Sequence, residues 1–428
     1  MADRPVALGR GPFWGLGAAA LVAALVLVPL GAVIGEAGGA GLPGPADLAA
    51  LRFTILQAAV SAAVSVGLAI PVARALARRR FPGRNILISL LGAPFFLPSV
   101  VAVIGIVGAF GQQGFAGQVF GMFGVQPPGI YGPQGVILAH VFFNLPLALR
   151  MFLQGWGAIP PERIRLAASL GFGPAEMRRH LEWPILRDIA PSAFLTIFLV
   201  CLGSFAVALT LGGGPRASTL ELAIYQAIRF DFDLGRAALL ACIQLGLGAL
   251  VAGAVLSLAR PAGFGPGSGL ADAELPRPRG LAALADAGVV LLAGLFLVLP
   301  LLAVLLRGAG ALADLPVGLW PAALRSVLIA LAATVLATGL ALCLAVTAAR
   351  HAGWAARLPV AAAVLPLGVS ALVLGTGLFL LLRGVAPPMQ LALPVTILAN
   401  ALGALPFAFA LLAPAARRAE ADFARLSA

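Results

Sequence analysis

The sequence predicts an all-α protein that crosses a membrane many times. Three observations carry that expectation: an apolar composition, a series of uncharged stretches of bilayer length, and arginines sorted to alternate connecting segments. Of the 428 residues, 61% are hydrophobic and 10% charged, and mean hydropathy is +1.04. Soluble domains carry about 25% charged residues. No charged residue stands between Arg84 and Arg150.

A bilayer-spanning helix needs about 20 apolar residues. Ten uncharged stretches answer that need: 14–34, 53–73, 86–110, 135–149 (extending to about 155), 189–211, 237–259, 287–306, 326–349, 358–382 and 391–416. The first is too long for the apolar part of a signal peptide and lacks a clear small-residue cleavage site, so it counts as a helix.

All 28 basic residues are arginine. With the N-terminus on the cytoplasmic side, 21 of them fall in cytoplasmic segments, which is the positive-inside bias that orients membrane proteins. The net charge of +12 therefore speaks for a lipid surface, and nucleic acid is not an expected partner. Cys201, Cys242 and Cys343 all fall inside expected spans. They read as small apolar packing residues, with neither a disulfide framework nor a metal site.

The chain repeats itself. Residues 54–78 align with 326–350, setting Gly67 on Gly339 and Arg78 on Arg350 at a spacing of 272. The same spacing sets Pro94 on Pro366 and Gly105 on Gly377. Residues 135–149 lie over 395–409 at a spacing of 260, pairing His140 with Asn400 and Pro146 with Pro406, because loop 111–134 is longer than its counterpart. An even number of helices per unit makes the two copies parallel, related by an axis along the membrane normal. The expected organisation is a first repeat at 1–260 with six helices, a Gly/Pro-rich cytoplasmic linker at 261–280, and a second repeat at 281–428 with four. The segment Arg165-Leu166-Ala167-Ala168 recurs as Arg425-Leu426-Ser427-Ala428. The first copy runs on from Ala168 to near Arg260, so the second is expected to be truncated by roughly two helices.

Residues 160–184 are polar where their surroundings are not. Pro160, Pro161 and Glu162 form a helix start, Gly171 a stop, and Pro174 with Glu176 a second start, running through His180 toward Trp183-Pro184. The expectation is a cytoplasmic loop of two short helices about a Gly turn. Such a pair can lie on the lipid surface or dock a soluble partner.

Here the chain resembles a family, the permeases of binding-protein-dependent ABC importers. Their cytoplasmic coupling loop reads Glu-Ala-Ala, three residues, Gly, nine residues, Ile, one residue, Leu-Pro. This sequence has Arg165-Leu166-Ala167, then Ala168, Ser169 and Leu170, then Gly171, nine residues, Leu181, Glu182 and Trp183-Pro184. It departs from the pattern at Arg165 and Leu166. The stretch 209–246 and the wording around Gly171 resemble the fused permease of importers for thiamine or thiamine pyrophosphate. The resemblance implies a type I ABC importer permease fold and a transport subunit rather than an enzyme. It also implies a multi-pass place in the bacterial inner membrane and alternating access driven by separate ATPase subunits that hold the ATP and Mg. A periplasmic binding protein would deliver the substrate. It further implies that Arg165–Gly171, Leu181 and Pro184 contact the ATPase, and that a second such element begins at Arg425–Ala428. Ferric iron or a phosphonate is the alternative cargo within the class.

Other motifs carry less. Gly212-Gly213-Gly214-Pro215 is no phosphate cradle, because a P-loop needs a lysine and the chain has none. No cofactor is expected in this chain. A secondary carrier, the rival from another class, would want carboxylates inside the bilayer, and none of the 16 acidic residues falls mid-span. Glu221, Tyr225, Asp231, Phe232 and Asp233 form an expected acidic-aromatic patch on the periplasmic side, suited to a cation. His140 and Asn144, one helical turn apart, and Asn400 are candidate pathway residues.

Overall fold

The computed structural model describes residues 14–39, 41–92, 94, 97–127, 129–157, 159–212, 214, 217–258, 279–310, 315–384 and 387–426. Among them every regular element is helical. In chain order these are α1 (Trp14–Ala37), α2 (Pro45–Arg78), α3 (Arg84–Leu90), α4 (Ser99–Phe110), α5 (Phe115–Met122), α6 (Pro133–Gly157), α7 (Pro161–Ser169) and α8 (Pro174–Met177). There follow α9 (Trp183–Leu202), α10 (Phe205–Leu211), α11 (Leu220–Gln226), α12 (Leu234–Leu258), α13 (Leu281–Gly310), α14 (Leu319–Arg350), α15 (Trp354–Val364), α16 (Ala371–Leu382) and α17 (Pro388–Leu426). Among the described residues, nine helical segments are long and apolar enough to cross a membrane, and the bent pair α15 and α16 makes a tenth if counted as one span. The chain is a multi-pass membrane protein.

The long helices follow from composition. Pro45 sets the first turn of α2, and Asp47 accepts a hydrogen bond from Gly44 N at 2.9 Å, which satisfies an end donor. Ala58, Ala62, Ser65, Ala69 and Ala73 line its buried face, and such small side chains let neighbouring backbones come close. The Leu and Val side chains on outward faces, among them Leu68, Leu291 and Val335, stand exposed to what would be lipid.

Three expected spans are interrupted. The stretch 86–110 divides into α3 and α4, with Gly92, Pro94 and Pro98 between them; prolines lack the amide the helix ladder needs and restrain the residue before them. The stretch 358–382 turns through 97° between Gly368 and Ala371, directly after a 3₁₀ turn, Leu365–Gly368, that contains Pro366. Ser370 then caps α16, accepting from Val373 N at 3.2 Å. The stretch 189–211 begins earlier than expected and breaks at Gly203-Ser204, between α9 and α10. Loop 111–134 also holds a helix of its own, α5.

Some helix bounds fall on the repeat spacing. Ala371–Leu382 lies 272 residues beyond Ser99–Phe110 at both ends, and α2 and α14 end at the aligned Arg78 and Arg350. The first helix of each half is exchanged. Helix α1 packs on α14, α15 and α16 and also on α12 of its own half, and α13 packs on α2 and α4. One core cluster accordingly joins α2, α4, α6 and α9 with Ala293 and Leu297 of α13, and the other joins α1 with α12, α14, α16 and α17. The crossings are made by aligned glycines. A Cβ on Gly105 would run into the Pro300 carbonyl of α13, and one on Gly377 into the Pro29 carbonyl of α1. Only glycine lets a helix backbone approach a neighbouring carbonyl this closely.

Helix ends sort to two faces. Glu36 with Arg383 and Asp47 with Arg236 mark one, at 3.1 and 2.8 Å. Arg74 with Glu182 and Arg350 with Glu420 mark the other, called here the loop face. On that face α17 runs unbroken through Arg425 and Leu426, so no turn sets off a second loop at Arg425 as the repeat suggested. The first copy breaks at Pro160-Pro161, and the aligned positions are Glu420 and Ala421, which continue a helix. Ser427 and Ala428 lie outside the described residues.

Alanine at Gly105 or Gly377 is expected to lower stability by about 1–3 kcal/mol through overpacking. Alanine at Gly67, where a Cβ would meet nothing within 4 Å, leaves it unchanged or raises it. Thermal unfolding of the detergent-solubilised variants checks the contrast.

Candidate coupling loop and intramembrane polar cluster

The loop is built from its turn outwards. Gly171 sits at φ +73°, and Phe172 N donates to Ala167 O at 3.0 Å, the closure of a Schellman cap on α7. With the turn set, α7 buries Ile164 and Ala167 in the first core cluster. Leu166 and Leu170, one turn apart, point outward at 60% and 64% exposure. Arg165 and Ser169 are exposed beside them, and Arg165 pairs with Glu162 at 3.1 Å, a surface contact of small energetic value. Ala168 lies in the helix between them. Phe172 packs on the His180 ring at 5.7 Å, and Leu181 rests against the core.

The second arm differs from expectation. It does not stop at Trp183-Pro184 but runs on as one helical segment, Pro174–Leu202. Pro184 has no amide to offer the His180 carbonyl. The backbone widens into a π turn at Arg178–Glu182, closed by Trp183 N on Arg178 O, and continues into α9 with Pro184 in its first turn.

Charged side chains tie this arm down. Arg74 of α2 grips Glu182 with two bonds, Nε to Oε2 at 2.6 Å and Nη2 to Oε1 at 3.3 Å. One turn on, Arg78 stands 3.7 Å from Asp286 of α13, and Arg79 donates to Ala283 O of α13 at 2.6 Å. From sequence these arginines read only as topology signals. Their 74/78 spacing, which puts both on one face of α2, was the available clue.

The second constellation surrounds the break at Gly203-Ser204. Where α9 ends, its last carbonyls have no helical donor. Gln57 Nε2 donates to Cys201 O at 3.0 Å and Gln244 Nε2 to Leu202 O at 2.8 Å. His140 lies between Ser204 Oγ at 2.6 Å and Ser61 Oγ at 3.3 Å, one ring nitrogen donating and the other accepting. Asn144 Nδ2 donates to His140 O at 2.8 Å and reaches Cys201 Sγ at 3.4 Å. His140 and Asn144 are thus brought together but enclosed. Asn400, their counterpart on α17, is exposed and does not join them. Ser61, Ser204, Gln57 and Gln244 complete a cluster that the sequence did not disclose, since the break that gathers them falls inside an apolar run.

The acidic-aromatic patch divides. Asp231, Phe232 and Asp233 are exposed, and Arg236 holds both carboxylates, Asp231 through its guanidinium at 2.9 Å and Asp233 through its backbone amide at 2.9 Å. Glu221, expected in the same patch, is instead 1% exposed, because Leu220 N donates to Thr54 Oγ1 at 2.8 Å and draws α11 onto α2. Its Oε1 has no hydrogen-bond partner among the described residues, and a Cβ on Gly203 would stand 3.9 Å away. Burial pushes the carboxyl up to about 7, opposed by the Ser370 hydroxyl. Tyr225, one turn along α11, is flanked by Phe205 at 5.0 Å and Phe230 at 6.0 Å.

Replacing His140 by Ala is expected to cost about 1–3 kcal/mol by stranding buried hydroxyls. Ser204→Ala costs a similar amount, and the double variant less than the sum because one bond is shared. Thermal unfolding of the three variants measures the coupling.

No family model matches the chain. Whole-chain comparison finds close relatives. The thiamine transport system permease protein of Brucella abortus (strain 2308) is 39% identical over 433 residues, covering 97% of this chain and 77% of the relative. That of Escherichia coli (strain K12) is 41% identical over 377 residues, covering 85% of this chain and 69% of the relative. That of Salmonella typhimurium (strain LT2) is 44% identical over 295 residues, covering 67% and 54%. With this all-helical membrane fold and identity of that extent, the chain belongs to the family of thiamine transport system permease proteins, the branch of ABC importer permeases that its loop and its 209–246 stretch resemble.

Proposed function

We propose that the chain is the membrane-spanning subunit of an ATP-driven importer that carries thiamine or its phosphates across a bacterial inner membrane. The observation that carries the reading is the loop at 160–184, whose glycine turn holds Leu166 and Leu170 outward on an otherwise polar surface. Exposed apolar side chains held in fixed geometry mark a docking surface. The partner is an ATPase subunit, which supplies ATP and Mg; with no lysine, this chain cannot form the phosphate-binding loop itself. The loop face is cytoplasmic, which places the N-terminus there too, and the opposite face receives a substrate-binding protein.

Transport then proceeds by alternating access. ATP-driven closure of the partner favours one arrangement of the loop, and differential contact with it shifts the balance between outward-open and inward-open states. Arg165, Leu166, Ser169, Leu170, Gly171 and Pro184 present the contact, while Ala167 and Leu181 hold the loop to the core.

On the substrate side, Tyr225 and Glu221 are the pathway residues the geometry favours. An aromatic face and a carboxyl one turn apart suit the cationic ring of thiamine. A bound cation would draw the Glu221 carboxyl back to its charged form. His140 and Asn144 are engaged with Ser61, Ser204 and Cys201, so they meet substrate only when the break at Gly203 opens, and Asn400 serves the second half.

Two outcomes test the reading. Leu166→Asp with Leu170→Asp is expected to abolish co-purification of a Walker-A-bearing subunit while leaving membrane insertion intact; retention of that subunit counts against the loop. Glu221→Gln is expected to raise KM for thiamine uptake about 10-fold, corresponding to about 1.4 kcal/mol. Uptake kinetics unchanged by it would remove Glu221 from the pathway.

A further inference from the structure

The cytoplasmic end of α2 touches two other parts of the molecule at once. Arg74 holds Glu182, in the π turn that joins the loop to α9. The Glu182 side chain is 7% exposed, and both of its oxygens are taken by one guanidinium. Arg78 and Arg79 reach Asp286 and Ala283 in the first turns of α13, the exchanged helix that opens the second half. Arg84, just beyond, folds back and donates to the Leu76 carbonyl at 2.9 Å.

The chemistry suits a joint rather than a simple anchor. A two-bond Arg–carboxylate pair resists rotation as well as separation. A carboxylate this enclosed cannot trade its arginine for water at low cost, so the pair moves as a unit. In the second half Arg350, aligned with Arg78, meets Glu420 of α17 at 2.5 Å, whereas the position aligned with Arg74 is Val346, so the Arg74–Glu182 pair belongs to the first half. A π turn is one residue away from regular helix and can absorb or release that residue when pushed.

Resting on the reading of loop 160–184 as the ATPase contact, we propose that the Arg74–Glu182 pair is the joint through which displacement of the loop reaches α2, and that Arg78 and Arg79 pass it on to α13 and so to the second half. Arg74 and Glu182 are positioning residues: they touch neither substrate nor nucleotide. The pair couples a stroke on one loop to both halves, because α13 packs within the first half while belonging to the second.

Charge reversal tests it in proteoliposomes that hold this chain with its ATPase subunits and binding protein, supplied with thiamine. Arg74→Glu and Glu182→Arg are each expected to keep the ATPase attached with basal hydrolysis near normal. Each is expected to cut uptake and binding-protein-stimulated hydrolysis by about 10-fold or more, as breaking a buried ion pair does. The double reversal restores both to within about 3-fold, since the pairing rather than either residue carries the effect. Glu182→Gln, which keeps the side-chain shape, gives a milder loss of the same kind and guards against misfolding of the reversals. Full stimulation in a single reversal overturns the joint, as does a double reversal no better than the singles at equal reconstituted amount. Loss of thermal stability with stimulation intact overturns it as well, leaving a merely structural pair. Failure of the unaltered chain to hold an ATPase would instead overturn the loop reading and the joint with it, whereas failure of the joint alone leaves the ATPase attached.

Discussion

Inside a bilayer a backbone carbonyl that leaves its helical partner has no water to turn to. The break between α9 and α10 at Gly203-Ser204 meets that constraint with side chains from three other helices. Gln57 from α2 and Gln244 from α12 cover the freed carbonyls, and His140 from α6 takes up the Ser204 hydroxyl. These bonds fix the spacing of α2, α6, α9 and α12 around one point. The same point is flanked by Glu221, so the place where the backbone is interrupted is also where a polar route can be lined without exposing polar groups to lipid.

The exchange of first helices makes the two halves one body. Neither α1 nor α13 has its main packing surface within its own half. The aligned glycines at 105 and 377 give both crossings the same close approach. A duplicated chain that merely sat side by side could separate under load, whereas an exchanged one must move together.

Much of this was legible in the residues. The all-helical membrane fold follows from uncharged lengths alone, and the repeat was visible because Gly105 and Gly377, Pro94 and Pro366 fall in register. The glycine turn and helix starts of loop 160–184 carry local signals that depend on no distant contact. What remained hidden depends on tertiary structure. Apolarity reports length and not continuity, so the interruptions at Gly92, Gly203 and Pro366 lay inside runs that read as whole spans. Glu221 looked like a loop acid because nothing near it in sequence announces that Leu220 binds Thr54. Arg74 resembled any other inside-positive arginine until Glu182 stood opposite.

The continuity of Pro174–Leu202 gives the loop mechanical reach. Beyond its π turn, α9 (Trp183–Leu202) is 20 residues, about 30 Å at the usual rise per residue, so a tilt of about 10° at its loop end would swing its far tip by roughly 5 Å. That tip is Leu202, immediately before the break. A small angular change at the loop end would thereby become a displacement wider than a water molecule at the break between α9 and α10.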